Sequence, residues 1–287
     1  MKEALAQSHE YCRRVARTRA KNFYYSFLLL SAQQRRAMCA IYAFMRYCDD
    51  LSDEPGANRV AMERWRVEME DALEGRFGEH PVWPAFHYTV RRFGIPRQYF
   101  RDMIDGVASD LQPRRVQTFD ELYRYCYQVA SVVGLTIIHI FGFDTPSALP
   151  LAEKCGVAFQ LTNILRDIRE DAERGRIYLP AEDLRRFGVA EEDLRSGNRS
   201  EAMLRLMRFE AARARQYYDE SRLLLDLIHP RSRPSLLALI SIYSSLLDRI
   251  ERKNYDVFTK RVRLSPLEKS WIVVRALMGR PLPEGSR

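Results

Sequence analysis

The sequence predicts an all-α protein. Apolar residues recur at helical spacing along almost the whole chain, and glycine and proline cluster between the periodic segments. Runs of alternating β-branched residues and solenoid periods are both missing from the sequence. We therefore expect one domain of about ten helices over residues 1–279, followed by a frayed tail at 280–287.

Helix boundaries follow from residues that begin or stop helices. Gly94 and Pro96 mark one turn. Thr118 and Glu121 have the spacing of a capping box, which should begin the central helix. The predicted helices are Arg35–Leu51, Arg59–Leu73, one that ends near Leu111, one that begins at Thr118, Leu151–Glu173, Glu201–Leu227, Pro234–Arg252 and one that begins at Pro266.

Composition excludes several classes of protein. The chain has 287 residues, 46% hydrophobic and 29% charged, so it can bury a core. Its mean hydropathy of −0.37 argues against a polytopic membrane protein. The net charge is +8, and 40 of the 46 basic residues are arginine, which favours an anionic partner, although solvated helix faces would explain them too. The arginines are spread out and no recognition module is visible, so we expect no nucleic-acid binding.

Two further features of the sequence bear on the cellular compartment and on a possible membrane-spanning segment. The five cysteines are odd in number and form no CxxC pair, which favours reduced, buried thiols in the cytoplasm. The stretch Tyr125–Phe143 has no charged residue over 19 positions, enough to span a bilayer. It also contains small and polar residues such as Gln128, Gly134 and His139, so we favour a buried central helix.

One candidate site is a helix that carries two aspartates one turn apart. Tyr42, Arg46, Asp49 and Asp53 fall within a sector of about 60° on a helix. Like charges four residues apart repel each other, and a bound cation would remove that cost. Carboxylate ligands without histidine or cysteine suit Mg²⁺, which also takes substrate phosphates as ligands. A solvated acidic face is the alternative.

A second helix repeats this pattern. Gln160, Asn163, Asp167 and Asp171 lie at offsets 0, 3, 7 and 11, a stripe about 80° wide on an otherwise apolar helix. Such a polar stripe must face water, a cavity or ions. Together, the two helices suggest opposed walls of one cavity that holds Mg²⁺ and an anionic leaving group.

These motifs resemble those of the squalene/phytoene synthase family, the head-to-head trans-isoprenyl diphosphate synthases. The first is Tyr-Ala-Phe-x-Arg-x-x-Asp-Asp-x-x-Asp over 42–53. The second is Gln-Leu-Thr-Asn-Ile-Leu-Arg-Asp-Ile-Arg-Glu-Asp over 160–171, continuing through Tyr178 to Pro180. The segment 125–134 between them matches as well, and the resemblance extends from about Arg19 to Lys269. It implies the isoprenoid-synthase fold, with helices around a central cavity.

The resemblance also implies roles for individual residues. Those that would bind Mg²⁺ are Asp49, Asp50, Asp53, Asp167 and Asp171. Those that would act in catalysis are Tyr42, Arg46 and Tyr125. Those that would contact the substrate are Lys21, Asn22, Phe23, Gln160, Asn163, Arg176 and Tyr243. The run before Phe23 departs from the family, because it lacks the serines that relatives often have there.

The activity that this resemblance implies is a Mg²⁺-dependent condensation of two farnesyl diphosphates to presqualene diphosphate, as in bacterial hopanoid synthesis. The alternatives are a squalene synthase that completes the NADPH step, a phytoene synthase that condenses two geranylgeranyl diphosphates, and a catalytically inactive assembly factor. The sequence does not indicate NADPH use. We expect a cytoplasmic enzyme, with peripheral contact to the inner face of the membrane as an option; the sequence does not predict its oligomeric state.

Overall fold

The computed structural model describes residues 2–20, 23–53 and 58–279, without the side chains of Phe23 and Asp53. These ranges contain fifteen α-helices, ten of them with at least ten residues, so the all-α prediction is confirmed. The predicted tail at 280–287 lies outside the described residues. The helices are α1 (Lys2–Arg19), α2 (Phe23–Phe27), α3 (Ala32–Asp53), α4 (Arg59–Leu73), α5 (Trp83–Phe93), α6 (Arg97–Ala108), α7 (Phe119–Cys126), α8 (Val132–Phe141), α9 (Ala148–Glu173), α10 (Ala181–Phe187), α11 (Glu191–Ser196), α12 (Glu201–Glu220), α13 (Leu224–Leu227), α14 (Arg233–Arg252) and α15 (Pro266–Leu277).

Helix α3 is anchored by a buried apolar stripe. Ala37, Ile41, Phe44 and Cys48, the stripe that the sequence predicts, are each at most 2% exposed. The ring of Phe44 stacks on Phe86 of α5 with the ring centroids 4.6 Å apart, and further aromatic rings of α4 and α5 surround it. This aromatic core fixes the rotation of α3, so that the neighbouring side of the helix, which carries Tyr42 and Asp49, is available for a cavity.

The uncharged stretch forms the central helix of the molecule. It runs from the end of α7 through a π-helical turn at Tyr127–Ser131 into α8. Most residues of α8 are buried. Helix α9 crosses this turn closely: a Cβ on Gly156 would lie 2.5 Å from Cα of Ser131, so only glycine fits there. The buried central helix is therefore confirmed, and none of the helices in the described ranges is long and apolar enough to cross a membrane.

Three local details differ from the sequence predictions. Thr118 caps α7 by accepting the Glu121 N–H at 3.3 Å, but the Glu121 carboxylate accepts the N–H of Gln117 and not that of Thr118, so only half of the capping box forms. The helix expected to reach residue 227 ends at Glu220. The hydroxyl of Ser221 donates to the backbone carbonyl of Tyr218, a local bond that competes with helix continuation.

The third difference is a short parallel ladder. Strand β1 (Arg114–Arg115) pairs with β2 (Arg176–Ile177), and two residues per strand are too few to give an alternating pattern. The ladder joins the segment after α6 to the segment after α9. It thereby brings a 3₁₀ turn at Ser109–Leu111 close to the end of the second carboxylate helix.

The cysteines behave as the sequence predicts. All five carry free thiols and are buried. Burial raises the pKa of the Cys12 and Cys155 thiols to about 12, so both stay protonated at neutral pH. They are packing residues of the core, with Cys155 also reaching the cavity described below.

Candidate active site

A cavity of about 310 Å³ lies among α3, α6, α8, α9 and α14. Lining residues of α3 extend from Met38 to Ser52, a length of about 21 Å at 1.5 Å per residue. The character of the lining changes along the helices, with aliphatic side chains first and polar ones toward the carboxyl-terminal ends. The polar and aromatic lining residues of this region are Tyr42, Arg46, Asp49, Ser52, Asp110, Phe159, Gln160, Asn163, Arg176 and Tyr243.

The same direction of change appears on α3, α9 and α14, so the polar groups collect at one end. On α9, Ala152 and Cys155 precede Gln160 and Asn163. The aliphatic and small residues of the lining include Met38, Ile41, Met45, Met103, Val107, Val133, Gly134, Ile137, Ile138, Gly156, Leu224, Leu236 and Leu239. The cavity therefore suits a molecule with a charged head and a long apolar body.

One side of the polar end, the α3 wall, consists of Tyr42, Arg46, Asp49 and Asp50. Asp49 faces the cavity, whereas Asp50 is turned to Arg46, with which it forms an ion pair, and to Arg19 at 3.4 Å. The Nε atom of Arg46 is buried and has no hydrogen-bond partner in the described part of the chain. A buried guanidinium N–H without an acceptor is costly, and an anionic ligand would satisfy it.

The opposite side, the α9 wall, consists of Gln160, Asn163, Asp167 and Asp171. Gln160 and Asn163 line the cavity, and the Asn163 amide donates to Gln160 at 3.3 Å. The Oδ1 atom of Asn163 is buried without a hydrogen-bond partner in the described ranges, so this wall also presents an unsatisfied acceptor. Asp167 and Asp171 lie one and two turns further along the same helix.

The two aspartates of the α9 wall are in different electrostatic environments. Burial disfavours the charge on Asp167, but Arg166 at 2.8 Å and Arg261 at 2.8 Å outweigh it and lower the pKa of that carboxyl. Burial and the nearby charges of Asp167 and Asp110 raise the pKa of Asp171 to about 7, despite the opposing effect of Arg176. Asp171 is thus a carboxylate that lacks a sufficient counter-charge.

A residue that the sequence analysis missed, Asp110, organises the region between the walls. Its carboxylate accepts hydrogen bonds from the hydroxyls of Tyr125 at 2.7 Å and Tyr178 at 2.8 Å. Burial raises the pKa of Asp110, and these bonds and the Arg176 charge oppose that rise. Arg176 donates to the backbone carbonyls of Asp110 at 3.1 Å and Ser52 at 3.3 Å, and so connects this cluster to α3.

No sequence signal marks Asp110, because it has no acidic neighbour at helical spacing and its partners are 15 or more positions away. We refer to Asp110, Tyr125, Arg176 and Tyr178 as the Asp110 cluster. The rings of Tyr125 and Tyr178 are stacked with centroids 4.7 Å apart, and the Arg114 guanidinium lies 4.5 Å above the Tyr125 ring. The cluster is therefore held from several elements at once.

Aromatic rings stand where the apolar and polar parts of the cavity meet. Tyr243 of α14 and Phe159 of α9 are stacked with centroids 4.3 Å apart and nearly parallel planes. Tyr42 of α3 lines the same cavity, and burial raises its pKa to about 12. The faces of aromatic rings carry negative electrostatic potential, so rings at this position can stabilise a cation in the cavity.

The structure gathers most of the predicted site residues. Those that line the cavity are Tyr42, Arg46, Asp49, Gln160, Asn163, Arg176 and Tyr243. Asp50, Asp167 and Asp171 adjoin this region through the ion pairs and charges given above, and Tyr125 adjoins it through Asp110. Lys21 and Asn22, and the side chains of Phe23 and Asp53, lie outside what the structure describes. Beyond the prediction, it adds Ser52, Asp110, Phe159 and Arg261.

The donor set fits a divalent cation. In the described ranges, no three histidine, cysteine, aspartate or glutamate side chains already converge as ligands of one ion. Mg²⁺ is usually held by one or two carboxylates together with water and substrate phosphates, so such convergence is not required. The uncompensated charge of Asp171 and the unsatisfied Oδ1 of Asn163 are what such an ion would satisfy.

Comparison with known sequences places this site in a family. A family model described as squalene/phytoene synthase matches residues 16–268. Phytoene synthase of Arthrospira platensis is 39% identical over 92% of this chain and 90% of its own length. Phytoene synthase 2 of Solanum lycopersicum is 38% identical over 92% and 88%. The chain spans 65% of the length of phytoene synthase 1 of Arabidopsis thaliana, which is also 38% identical.

Comparison with solved structures supports the same family. A dehydrosqualene synthase, solved in complex with a ligand, superposes with a TM-score of 0.90 at 30% identity over 96% of this chain and 98% of its own. The squalene synthase HpnC of Alicyclobacillus acidocaldarius superposes with a TM-score of 0.82 at 30% identity, over 88% and 95%. The predicted isoprenoid-synthase fold is therefore confirmed. On the motifs, the cavity and these matches, the chain belongs to the squalene/phytoene synthase family, whose members are prenyltransferases.

Proposed function

We propose that this enzyme joins two geranylgeranyl diphosphates head to head, with Mg²⁺ as cofactor and phytoene as product. The observation that carries the proposal is the cavity whose lining runs from aliphatic side chains to a charged end built by α3 and α9. That polarity suits an allylic diphosphate, with its anionic head at the walls and its prenyl chain among the methionines, valines and leucines.

The proposed length of the prenyl chain is inferred from the similarity of this chain to known enzymes. Curated phytoene synthases are 37–39% identical to this chain, whereas the dehydrosqualene and squalene synthase structures are 30% identical. The sequence alone favoured two farnesyl diphosphates and presqualene diphosphate. The relatives support the longer, geranylgeranyl alternative better, and the two structural neighbours keep the farnesyl reaction as the second candidate.

The two walls and the Asp110 cluster would bind the diphosphate groups. The residues that would hold Mg²⁺ are Asp49, Asp50, Asp53, Asp167 and Asp171. A bound divalent cation would offset the negative charge that develops on a departing diphosphate. The unsatisfied Nε–H of Arg46 would donate to a diphosphate oxygen, and Arg176, fixed between Asp110 and Ser52, would supply a second guanidinium. Gln160 and Asn163 would orient the same head group.

Carbon–carbon bond formation would follow in the apolar part of the cavity. The C1–O bond of one substrate breaks, and the resulting allylic cation is attacked by the C2=C3 double bond of the other. Loss of a proton closes a cyclopropane ring. The π-faces of Phe159 and Tyr243 would stabilise the cation, and the aliphatic lining would exclude water that could quench it.

Later steps decide the product. Departure of the second diphosphate and rearrangement of the cyclopropyl cation, followed by loss of a proton, give phytoene without a reductant. Squalene requires a hydride in place of that last proton loss, which is the step for which NADPH would be needed. Tyr42 lines the cavity and Tyr125 adjoins it through Asp110; we propose that their neutral hydroxyls orient the proton transfers.

Product analysis tests this proposal. Purified protein would be incubated with Mg²⁺ and either geranylgeranyl or farnesyl diphosphate, with and without NADPH. We expect phytoene from the longer substrate, independent of NADPH. Presqualene diphosphate from farnesyl diphosphate as the sole product would replace the proposal by the second candidate, squalene formed only with NADPH would indicate a squalene synthase, and no product from either would favour the inactive assembly factor. Asp49→Asn serves as the inactive control.

A further inference from the structure

The outward face of the last helix is apolar, contrary to what a solvated helix requires. Leu267, Trp271 and Val274 of α15, and its C-cap residue Met278, lie at i, i+4, i+7 and i+11 and fall within a sector of about 60°. Their side chains are between 45% and 82% exposed. We call these four residues the α15 stripe; none of them belongs to the cavity or to either wall.

Helix α15 is firmly fixed with this face outward. Its other side buries Ile272 and Ala276 against the domain. Ser265 caps its first turn in a full capping box with Glu268, and Arg249 of α14 donates to the same glutamate at 3.2 Å. Because the inner face is committed to α14 and α2, the stripe cannot be buried by a rotation of the helix. Burial of the stripe therefore requires a partner outside the described residues.

A basic groove adjoins the beginning of the stripe. Leu264 and Ser265, three and two residues before Leu267, belong to its lining. No acidic residue takes part in that lining. The basic residues that do are Arg249, Arg252, Lys253, Lys260, Arg261 and Arg263. Since Arg249 and Arg261 are paired with acids, the exposed charge of the groove comes from the other four.

We propose that the α15 stripe and the basic groove dock the protein on an anionic lipid bilayer. An exposed row of leucine, valine and methionine around a tryptophan is what an interfacial helix inserts below the head groups. Basic side chains beside it meet anionic lipid phosphates. An apolar protein partner would match the stripe alone, whereas a bilayer with anionic head groups matches the stripe and the groove together.

The position of α15 connects this surface to the cavity. The helix packs on α2 and α14, and these two contribute Phe27, Leu236, Leu239 and Tyr243 to the cavity lining. A bilayer on the outer face of α15 would thus lie one helix layer from the apolar part of the cavity. If the proposed function holds, a substrate with a long prenyl chain would be taken up from that bilayer; the docking itself does not depend on the activity.

Vesicle binding tests the proposal without any turnover. The full chain would be sedimented with vesicles of phosphatidylcholine alone and of phosphatidylcholine with phosphatidylglycerol. We expect binding to the anionic vesicles only. Trp65 and Trp83 are at most 2% exposed, so a blue shift of tryptophan emission on binding would report Trp271 entering the membrane. Absence of binding to the anionic vesicles would overturn the proposal.

A matched pair of variants locates the surface. Leu267→Gln with Trp271→Gln changes side chains that are 82% and 57% exposed, and Val60→Gln with Val67→Gln changes side chains that are 71% and 54% exposed on α4. The first pair should weaken partitioning about tenfold or more, and the second should leave it unchanged. Glutamine keeps the helix propensity high, so both should fold. Equal effects would refute the assignment to α15.

The groove is tested separately. Lys253→Gln and Lys260→Gln should each lower partitioning into anionic vesicles about fivefold at low salt, because each removes one positive charge. Unchanged partitioning would remove the groove from the proposal. A concentration-dependent dimer that Leu267→Gln with Trp271→Gln abolishes, with no vesicle binding by the parent protein, would show instead that a second copy of the chain covers the stripe and would overturn the lipid assignment.

Discussion

The α3 wall and the α9 wall carry similar motifs but present them differently. On α3, Arg46 and Asp49 face the cavity directly, and the charge of Asp50 is balanced by Arg46 on the same helix and Arg19 on α1. On α9, the amides of Gln160 and Asn163 face the cavity, and the aspartates beyond them are engaged by arginines or by each other. Two similar sequence motifs therefore present different groups to the cavity.

The two walls also differ in how well their charges are balanced. The α3 wall is close to charge balance, because Arg46 and Arg19 pair with Asp50. The α9 wall is unbalanced, because Asp171 is buried near the like charges of Asp167 and Asp110, whereas the two nearby arginines pair with Asp167. Such imbalance at a cavity is typical of functional sites, where a ligand supplies the missing charge. Five predictions test this comparison and the fold that supports it.

The largest effect should come from the cavity-facing aspartate of the α3 wall. Asp49→Asn keeps the size of the side chain and removes its charge, so turnover should fall about 100- to 1,000-fold, the usual range for one group that stabilises a transition state. The measurement is kcat/KM with geranylgeranyl diphosphate. Asp219→Asn, on the exposed side of α12, is the control and should keep full activity. Full activity of Asp49→Asn would remove the α3 wall from the mechanism.

A smaller loss should follow when the Asp110 cluster is disturbed. Asp110→Asn weakens the two hydrogen bonds from the tyrosine hydroxyls and removes the negative charge that attracts Arg176. We therefore expect kcat/KM to fall roughly 10- to 100-fold. Tyr178→Phe, which removes one of the two bonds, should cost less and destabilise the fold by about 1 kcal/mol. If Asp110→Asn unfolds the protein while Tyr178→Phe is silent, the cluster is structural only.

The packing of α9 against the central helix gives the next prediction. Gly156→Ala places a Cβ 2.5 Å from the backbone of Ser131, and α9 has to shift, so the free energy of unfolding should fall by about 1–3 kcal/mol. Gly134→Ala is the milder control, because its Cβ would lie 3.1 Å from the Ala152 carbonyl oxygen. Urea unfolding measures both. Equal stability of the two variants would show that α9 is not held closely.

The fourth prediction concerns the pH dependence of stability. The pKa of Asp171 is about 7 in the folded protein and near 3.9 in an unfolded chain, so the folded state binds this proton more tightly between these values. Its contribution is fully present below about pH 4 and is lost as the pH rises through 7, by at most about 1.4 kcal/mol per pH unit. Asp171→Asn should lack that slope. Parallel stability curves for the parent and the variant would contradict the assignment.

A ligand should reverse this trend. If Mg²⁺ with inorganic diphosphate binds at the α9 wall, it favours ionised Asp171, and stabilisation by the pair should be greater at pH 8 than at pH 6. Thermal unfolding with and without the pair at each pH measures this. A stabilisation independent of pH would place the ions elsewhere.

How much of the structure can be predicted from the sequence depends on how far apart in the chain the interacting residues lie. The helix Arg59–Leu73 was predicted with its observed bounds, and Asp49 and Asn163 were placed in the cavity, because periodicity and motif spacing are local. Asp110 was not found, since its function depends on Tyr125 and Tyr178, which only the folded chain brings near. The break after Glu220 was also missed, because a single serine is a weak local signal for a helix end and the contact of Leu224 with the cavity appears only in the folded chain.

The substrate length is the part that local signals determine least, because it depends on the depth of a cavity built by five helices. The most direct test of the account is competition between the two substrates in one reaction with Mg²⁺, at equal concentrations, with products separated by mass. The account predicts that phytoene, formed from two C20 units, predominates whether or not NADPH is present. Predominance of a C30 product from two farnesyl units would contradict it.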